Sequence, residues 1–493
     1  MVSENGSTIC TGGDMATNYP SARTFASSNH VTLVTCVFVV ALVMACPALV
    51  SAQQTAQNGL VTFSSDIAPI LQRSCQECHR AGSIAPMSLL TYEEVRPWAR
   101  AIKNRTGLRT KPGAMPPWYV EKNIGIQRYK NDPSLNDEEI EKIATWVDNG
   151  APQGNPADLP PQLNFPETAG WALGEPDLIL STPSVEILAG SPDWWGPIGN
   201  VPTGVTEDRY VSAVEMREVN DLLEKRGGQT VGGRFVFHHL CWGVVGVNGE
   251  DQIRFPCHEV GRNADVFDPD AGRLLSVGSK ADLFSTHLHA SSEDAKAHIE
   301  IGFTLHPKGY KPTRSVGQMG LFGNSMNLDI KPMEANQEFE AFTVLERNWK
   351  IVSYEPHMHA AGVRMCMDAI WGRTNQIDTL SCVGYDHSWV RIYNFADDAT
   401  PLLPKGTILR MRGYFDNTPT NRNVADPRNW SGLGHRSIDN MMNHLGEVVY
   451  LTDEEFEDEM SKRRDTLDLK PGQTVIGCPL CGAKPITQDD GGA

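Results

Sequence analysis

With 493 residues, 40% of them hydrophobic and 21% charged, the chain is long enough for about three globular domains. A formal charge of −17 without any basic run excludes nucleic acid as the partner.

The first element is an apolar run from Val37 to Ala45, followed by the small-residue signature Val50-Ser51-Ala52. A membrane span needs about 20 apolar residues, so residues 1–52 read as a cleaved export signal. Val43-Met44-Ala45-Cys46 offers lipid anchoring at Cys46 as a weaker alternative. The expected location is periplasmic or secreted. Loss of the leader removes Cys10, Cys36 and Cys46 and leaves eight cysteines, a number that suits an oxidising compartment.

Next comes Cys75-Gln76-Glu77-Cys78-His79. Two thiols three positions apart can form thioethers to the two vinyl groups of a haem, with the adjacent histidine beneath the iron. Haem c is therefore the first expected cofactor, bound at Cys75, Cys78 and His79. Covalent haem attachment in bacteria takes place outside the cytoplasm, which agrees with an export signal. Capping residues, an early proline and apolar positions at Ile67, Ile70 and Leu71 predict a helix before the motif. Asn136 with Glu139 predicts a second helix, with Ile140, Ile143, Ala144 and Val147 on one face and Gly150 at its end. These features predict a small all-α cytochrome c domain over 58–152. Met115, in the proline-stiffened loop Lys111–Trp118, is the expected sixth iron ligand, and Met87 is its rival.

Residues 153–170, rich at first in proline, asparagine and glutamine, read as a linker. From Trp171 to Tyr450, short β-branched and aromatic runs are broken by Gly, Pro and Asn, the pattern of antiparallel sandwiches. Two jelly-roll-like β-sandwiches are expected, over 171–325 and 326–455. Cys366 and Cys382 flank the turn signal Gly372-Arg373-Thr374-Asn375, so a hairpin would set their sulfurs opposite each other. A similar pairing of Cys241 and Cys257 is expected around Gly246-Val247-Asn248-Gly249. The charged segment Thr452–Arg464 is expected as one exposed helix before a loose tail, with 456–493 as the terminal unit. In that tail, Cys478 and Cys481 form either a small disulfide loop or part of a metal knuckle.

Histidines cluster within the β region. His238-His239, His287-Leu288-His289 and His357-Met358-His359 each stand at the end of a predicted strand. Residues i and i+2 of a strand face the same way, so His357 and His359 can point at one metal ion. Adjacent His238 and His239 would face opposite sides of a regular strand, so both reach one metal only through a bulge or a strand end. Imidazole-dominated sites in an exported protein suit copper or zinc, and a thioether ligand favours copper.

In these residues the chain resembles the copper type II, ascorbate-dependent monooxygenases, the group of peptidylglycine α-hydroxylating and dopamine β-monooxygenases, across roughly Trp171 to Tyr450. The matching segments are His238-His239, Phe284-Ser285-Thr286-His287, Pro356-His357-Met358-His359 and Asp439-Asn440-Met441-Met442. Leu403-Pro404-Lys405-Gly406-Thr407 and Phe415-Asp416-Asn417 through Asn421 match them as well. The segments Ala85–Leu89 and Met115–Trp118 are similar to cytochrome domains fused ahead of bacterial members. The resemblance implies one copper at His238, His239 and His287, with His289 as the rival third ligand. It implies a second, catalytic copper at His357, His359 and Met441, with Met442 adjacent. Glu355 and Leu445 stand where the peptide enzyme has its carboxylate-clamping arginine and tyrosine, so a peptidyl-glycine substrate is not expected.

The resemblance implies hydroxylation of a C–H bond with O2, and a haem in the same chain adds the expectation that electrons enter there. The partners would be a small organic substrate, O2 and an external donor, namely a reduced cytochrome, a quinol-linked protein or an ascorbate-like reductant. The competing expectation is a non-enzymatic haem and copper electron carrier or copper-handling protein.

Overall fold

The computed structural model describes residues 59–482 except 81–82, 84, 166–170, 226–234, 248, 250–251, 263, 319–324, 373–375 and 437. The expected export signal, with Cys10, Cys36 and Cys46, lies outside the described residues, as do Arg373 to Asn375 and Asn248 of the two turn signals. Among the described residues no helix is long and apolar enough to cross a membrane.

The expected all-α cytochrome c domain is not present as such. Strand outweighs helix 34% to 15%, and the helices between residues 59 and 152 are short. They are Ala68–Ser74, Tyr92–Val95, Ala99–Thr106 and the 12-residue Asp137–Asp148. A wide turn, Phe63–Ile67, precedes the first of these and accommodates Pro69, which has no N–H to donate. Asn136 and Glu139 close a reciprocal cap on the last helix, and Gly150 follows its end at φ +84°. Phe63, Ile67, Leu71, Ile143 and Trp146 share a small core.

The stretch from Gly107 to Leu135 contains no helix and docks on the second sandwich. Val120 bridges Val383, Tyr129 bridges Phe395, and the Glu121 N–H donates to the Cys382 carbonyl at 2.9 Å. Trp118, Val120, Ile126 and Tyr129 are buried in that sandwich's core. The physical reason lies in the stretch itself. Pro112, Pro116 and Pro117 together with Gly113 and Gly125 at positive φ forbid a helix, while its aromatic residues find their burial on the sheet. The start of the expected linker is also packed down, with Gln153 accepting from the Ser64 backbone and Phe165 under the Arg80 guanidinium.

The first sandwich pairs two antiparallel sheets. One is built on Arg209–Asn220 and Ala295–Leu305, the other on Phe237–Val245 and Lys280–Leu288. Its core gathers Phe237, Trp242, Phe255 and Phe303, with Trp242 stacked on Phe255 at 4.6 Å. In the second sandwich, Gln337–Val344, Ile408–Phe415, Gly362–Ile370 and Ile377–Gly384 form one sheet. Ser315–Gln318, Glu447–Leu451, Asn348–Ile351 and Leu402–Leu403 form the other.

Among the described residues three disulfides are formed. Cys366 sits directly across from Cys382 in the strand register, Cys241 bonds Cys257, and Cys478 bonds Cys481. The helix Asp453–Thr466 is less exposed than its charge suggests, because Phe456, Met460 and Arg463 recur at helical spacing and are buried. The segment after it folds back rather than trailing loose. Gly477 accepts from the Leu402 N–H at 2.8 Å, and both Cys478 and Cys481 are fully buried.

Candidate metal centre

The strand Phe237–Val245 pairs with Lys280–Leu288 so that His239 faces His287 while Leu288 faces Phe237. The register skips one residue, and that residue is His238. This bulge turns two consecutive histidines toward one place, which a regular strand forbids. His238, His239 and His287 bring one ligand atom each within 4.8 Å of one another, and all three are buried. His289, just past the strand end, lies 4.4 Å from His287 between ring centres. His287 and His289 both approach the Asp193 carboxylate, with Nε2 to Oδ2 distances of 3.2 and 3.4 Å. His287 also stacks on Trp195 at 4.2 Å.

His357 and His359 come from the second sandwich, where His357 pairs with Asn443 across a short two-strand ladder. Their ring centres are 5.3 Å apart. Glu259, from the first sandwich and almost fully buried, meets His357 Nδ1 at 2.9 Å, leaving Nε2 as the atom free to bind. Burial alone would lower the His357 pKa, but the Glu259 carboxylate outweighs it and raises the value. Arg262, whose backbone N–H donates to the Glu259 carbonyl at 2.8 Å, pairs through its side chain with Asp265 and with Glu355. Asn440 accepts from the Ala361 N–H at 3.2 Å, and Asn421 donates to the Ala360 carbonyl at 2.9 Å. These two asparagines pin the turn that follows His359.

The two sets meet. His239 and His357 have ring centres 6.4 Å apart, and a seventh histidine, His387, stands 4.9 Å from His238 and 6.0 Å from His359. Half of the chain's 14 histidines thus gather where the two sandwiches face each other. Imidazole nitrogen sits about 2.0–2.1 Å from a zinc-like ion, so two rings on one ion have centres at most about 6.4 Å apart. Every neighbouring pair here falls within that reach.

Electrostatics and hydrogen bonding agree with a metal. Burial pushes His238 down to about 4 and His359 to about 3, and it drives His239, His287 and His387 lower still, so the rings are neutral. His238 Nδ1, His359 Nδ1 and both ring nitrogens of His387 are buried without a hydrogen-bond partner. Buried polar atoms are nearly always satisfied, and neutral imidazole nitrogens left bare in a cluster are what a soft or borderline cation takes up. The donor set fits copper or zinc.

Met441 sits two residues from Asn443 on the segment facing His357. It is half-buried, and its Sδ accepts from Asn443 Nδ2 at 3.6 Å. Met442 points the other way, fully buried in the second core against Gly413. A cleft of about 490 Å3 opens beside this segment, lined by Ala360, Ala361, Asp439 and Asn440 with Trp430 and Ile438 at its apolar wall.

Cys75, Cys78 and His79 line an apolar cleft together with Met115 and Trp389. These two cysteines are unbridged, whereas the other six described cysteines pair. Burial and the neighbouring Cys78 push the Cys75 thiol up to about 12, so it is a neutral thiol there. His79 Nδ1 donates to the Met87 carbonyl at 3.2 Å, which holds Nε2 as the free nitrogen. The Met87 side chain packs in the small helical core, while Met115 is at the cleft and 43% exposed. Thiols, an oriented imidazole and a thioether around one apolar cleft fit a covalently held haem.

Sequence reasoning did not single out Glu259, Asp193, His387 or Trp389. Each is isolated in the sequence, without the i, i+2 pairing that marked the other histidines, and only the packing of distant segments gives it a role. No family model matches the chain, and no curated protein matches it. Among solved structures, a likeness is found to broad bean stain virus, with TM-score 0.28 and 8% identity over 58% of this chain and 95% of that one. Another is to recombinant PNGase F, with TM-score 0.27 and 9% identity over 56% of this chain and 96% of that one.

Proposed function

We propose that the chain is a copper-dependent oxygenase that hydroxylates a C–H bond of a small organic substrate and receives its electrons through a haem held at Cys75 and Cys78. The observation that carries this reading is one short loop. Trp389 walls the cleft of the CxxCH motif, and His387, two residues earlier, stands among the histidines. Substrate C–H, O2, two electrons and two protons give C–OH and water, so a reductant is required. Copper held by the histidines would supply one-electron chemistry with O2, and haem at Cys75 and Cys78 would relay electrons from an external donor.

The chain's own residues prepare both places. The Met87 carbonyl and the Glu259 carboxylate hold the Nδ1 atoms of His79 and His357, so that each presents Nε2. Burial alone would raise the Glu259 pKa, but His357 and, after it, the Arg262 guanidinium outweigh burial and hold the carboxyl below its ordinary value. Asn421 and Asn440 fix the wall between His359 and the cleft at Ala360 and Ala361. Trp430 and Ile438 give that cleft an apolar part beside the polar Asn417, Asp426 and Asn429, and Arg436 in its lining is already paired with Asp439. A cleft lined by Ala360 and Asn440, the chain neighbours of His359 and Met441, favours an oxygenase over the electron-carrier reading, which needs none.

The test is metal and haem analysis of purified, exported protein, followed by O2 uptake with a chemical reductant across apolar substrates. Covalent haem, bound copper and substrate-dependent O2 uptake are expected. Haem and copper without such uptake would leave the electron carrier as the better reading.

A further inference from the structure

We infer that His387 is a further metal ligand, placed at the junction between His238 of the first sandwich and His359 of the second. The inference rests on the copper reading above and names a residue outside the ligand set that the resemblance implies. His387 follows Gly384 at the end of the strand Ile377–Gly384, in the turn Tyr385-Asp386-His387-Ser388-Trp389. That turn is held firmly on both sides. The Tyr385 hydroxyl donates to the Met358 carbonyl at 2.7 Å, and Asp386 accepts from the Gly113 N–H at 2.9 Å.

Three observations converge on the ring. Its centre is 4.9 Å from that of His238, close to the separation of about 5.2 Å that two imidazoles take at tetrahedral angles on one ion. The 6.0 Å to His359 is within reach of the same ion at a wider angle. Both ring nitrogens are buried without a partner, and unlike His258, whose ring nitrogens are also bare, the His387 ring lies among other imidazoles. Finally, the His387 carbonyl accepts from His238 Nε2 at 3.2 Å, which leaves His238 Nδ1 bare on the side of the cluster. The backbone of His387 thus sets which nitrogen of His238 binds, and its ring adds a donor. An ion held this way ties the two sandwiches together.

Two variants of the full-length holoprotein test the assignment, with Cu(I) as the probe. Copper content of the wild type is measured first, and a wild type that takes up no copper overturns both this inference and the copper reading. Given copper in the wild type, His387→Ala should weaken retention against a Cu(I) chelator. The loss should exceed the roughly 10–100-fold that removal of a residue merely orienting a ligand costs. The covalent haem spectrum should persist. His387→Cys should add a sulfur scatterer at the copper X-ray absorption edge relative to the wild type, a readout that haem does not obscure. If His387→Cys binds copper with no added sulfur, or His387→Ala retains copper as tightly as the wild type, His387 is not a ligand although the copper reading stands. Should His387→Ala fail to fold, the sulfur signal of His387→Cys decides alone.

Discussion

Glu259 of the first sandwich and His357 of the second share a hydrogen bond of 2.9 Å in which both partners are buried. The bond joins two halves of the molecule and orients a ring in the same contact, so its removal should be read at the metal rather than in the fold. Glu259→Gln keeps the shape and the ability to accept from Nδ1 but drops the charge that raises the basicity of His357. Copper retained by the His357 and His359 pair should weaken about 10–100-fold, as when other outer partners of metal-binding histidines are lost. Competition with a chelator measures this, and unchanged retention would show that the contact is structural only.

The haem prediction turns on geometry at the CxxCH cleft. Cys78→Ser should disrupt covalent attachment, so that acid–acetone extracts haem that stays on the wild-type polypeptide. Met115→His should alter any iron–sulfur charge-transfer band. Met87 offers a carbonyl to His79 and buries its side chain in the helical core, so Met87→Leu should leave that band in place. The reverse pattern would exchange the two methionines.

The bond between Cys366 and Cys382 closes a loop with a sequence separation of 16, for which the chain-entropy model gives about 3 kcal/mol. Both sulfurs are buried, on the paired strands Gly362–Ile370 and Ile377–Gly384, the first of which begins just after His359. Replacing both by alanine should lower stability by about that amount in denaturant titration, with copper released before the spectrum of the covalent haem changes. Alkylation of either cysteine in native, unreduced protein would refute the bond.

Much of this was legible because strands write their faces into the sequence at period two. His357 and His359, and the cross-strand cysteines, are local patterns of that kind. His238 and His239 broke the pattern in a way that demanded a bulge, and the register skips His238 as a bulge requires. What was not legible is what distant segments do to one another. The capped helix Asp137–Asp148 and the CxxCH motif suggested a self-contained helical domain. Whether Trp118 and Tyr129 bury against helices or against a sheet 250 residues away is not encoded in their neighbours. His387 was invisible for the same reason, since a single histidine in a turn carries no spacing signal. The buried face of Asp453–Thr466 was written at i, i+4 and i+7 in Phe456, Met460 and Arg463, but the density of charge around it pointed to solvent.

Met441 and Met442 are adjacent, and their surroundings separate their roles. Met442 is fully buried against Gly413 in the second core, whereas Met441 is half-buried beside Asn443 on the segment facing His357. Met442→Ile is a volume-conserving change in a packed site, so it should cost less than about 1.5 kcal/mol of stability and leave copper in place. Met441→Ile removes a soft donor, and soft donors favour Cu(I), the state that meets O2. Its expected signature is a selective loss of Cu(I) affinity and of substrate-dependent O2 uptake, with the haem spectrum and the thermal midpoint preserved. A chelator titration under reducing conditions, repeated with Cu(II), separates loss of the thioether from general damage, because only the reduced ion should be released more readily. Equal weakening of both oxidation states would mean that Met441 shapes the site without binding. No change in either would remove it from the ligand set and leave the imidazoles of His357 and His359 to hold the ion with partners other than sulfur.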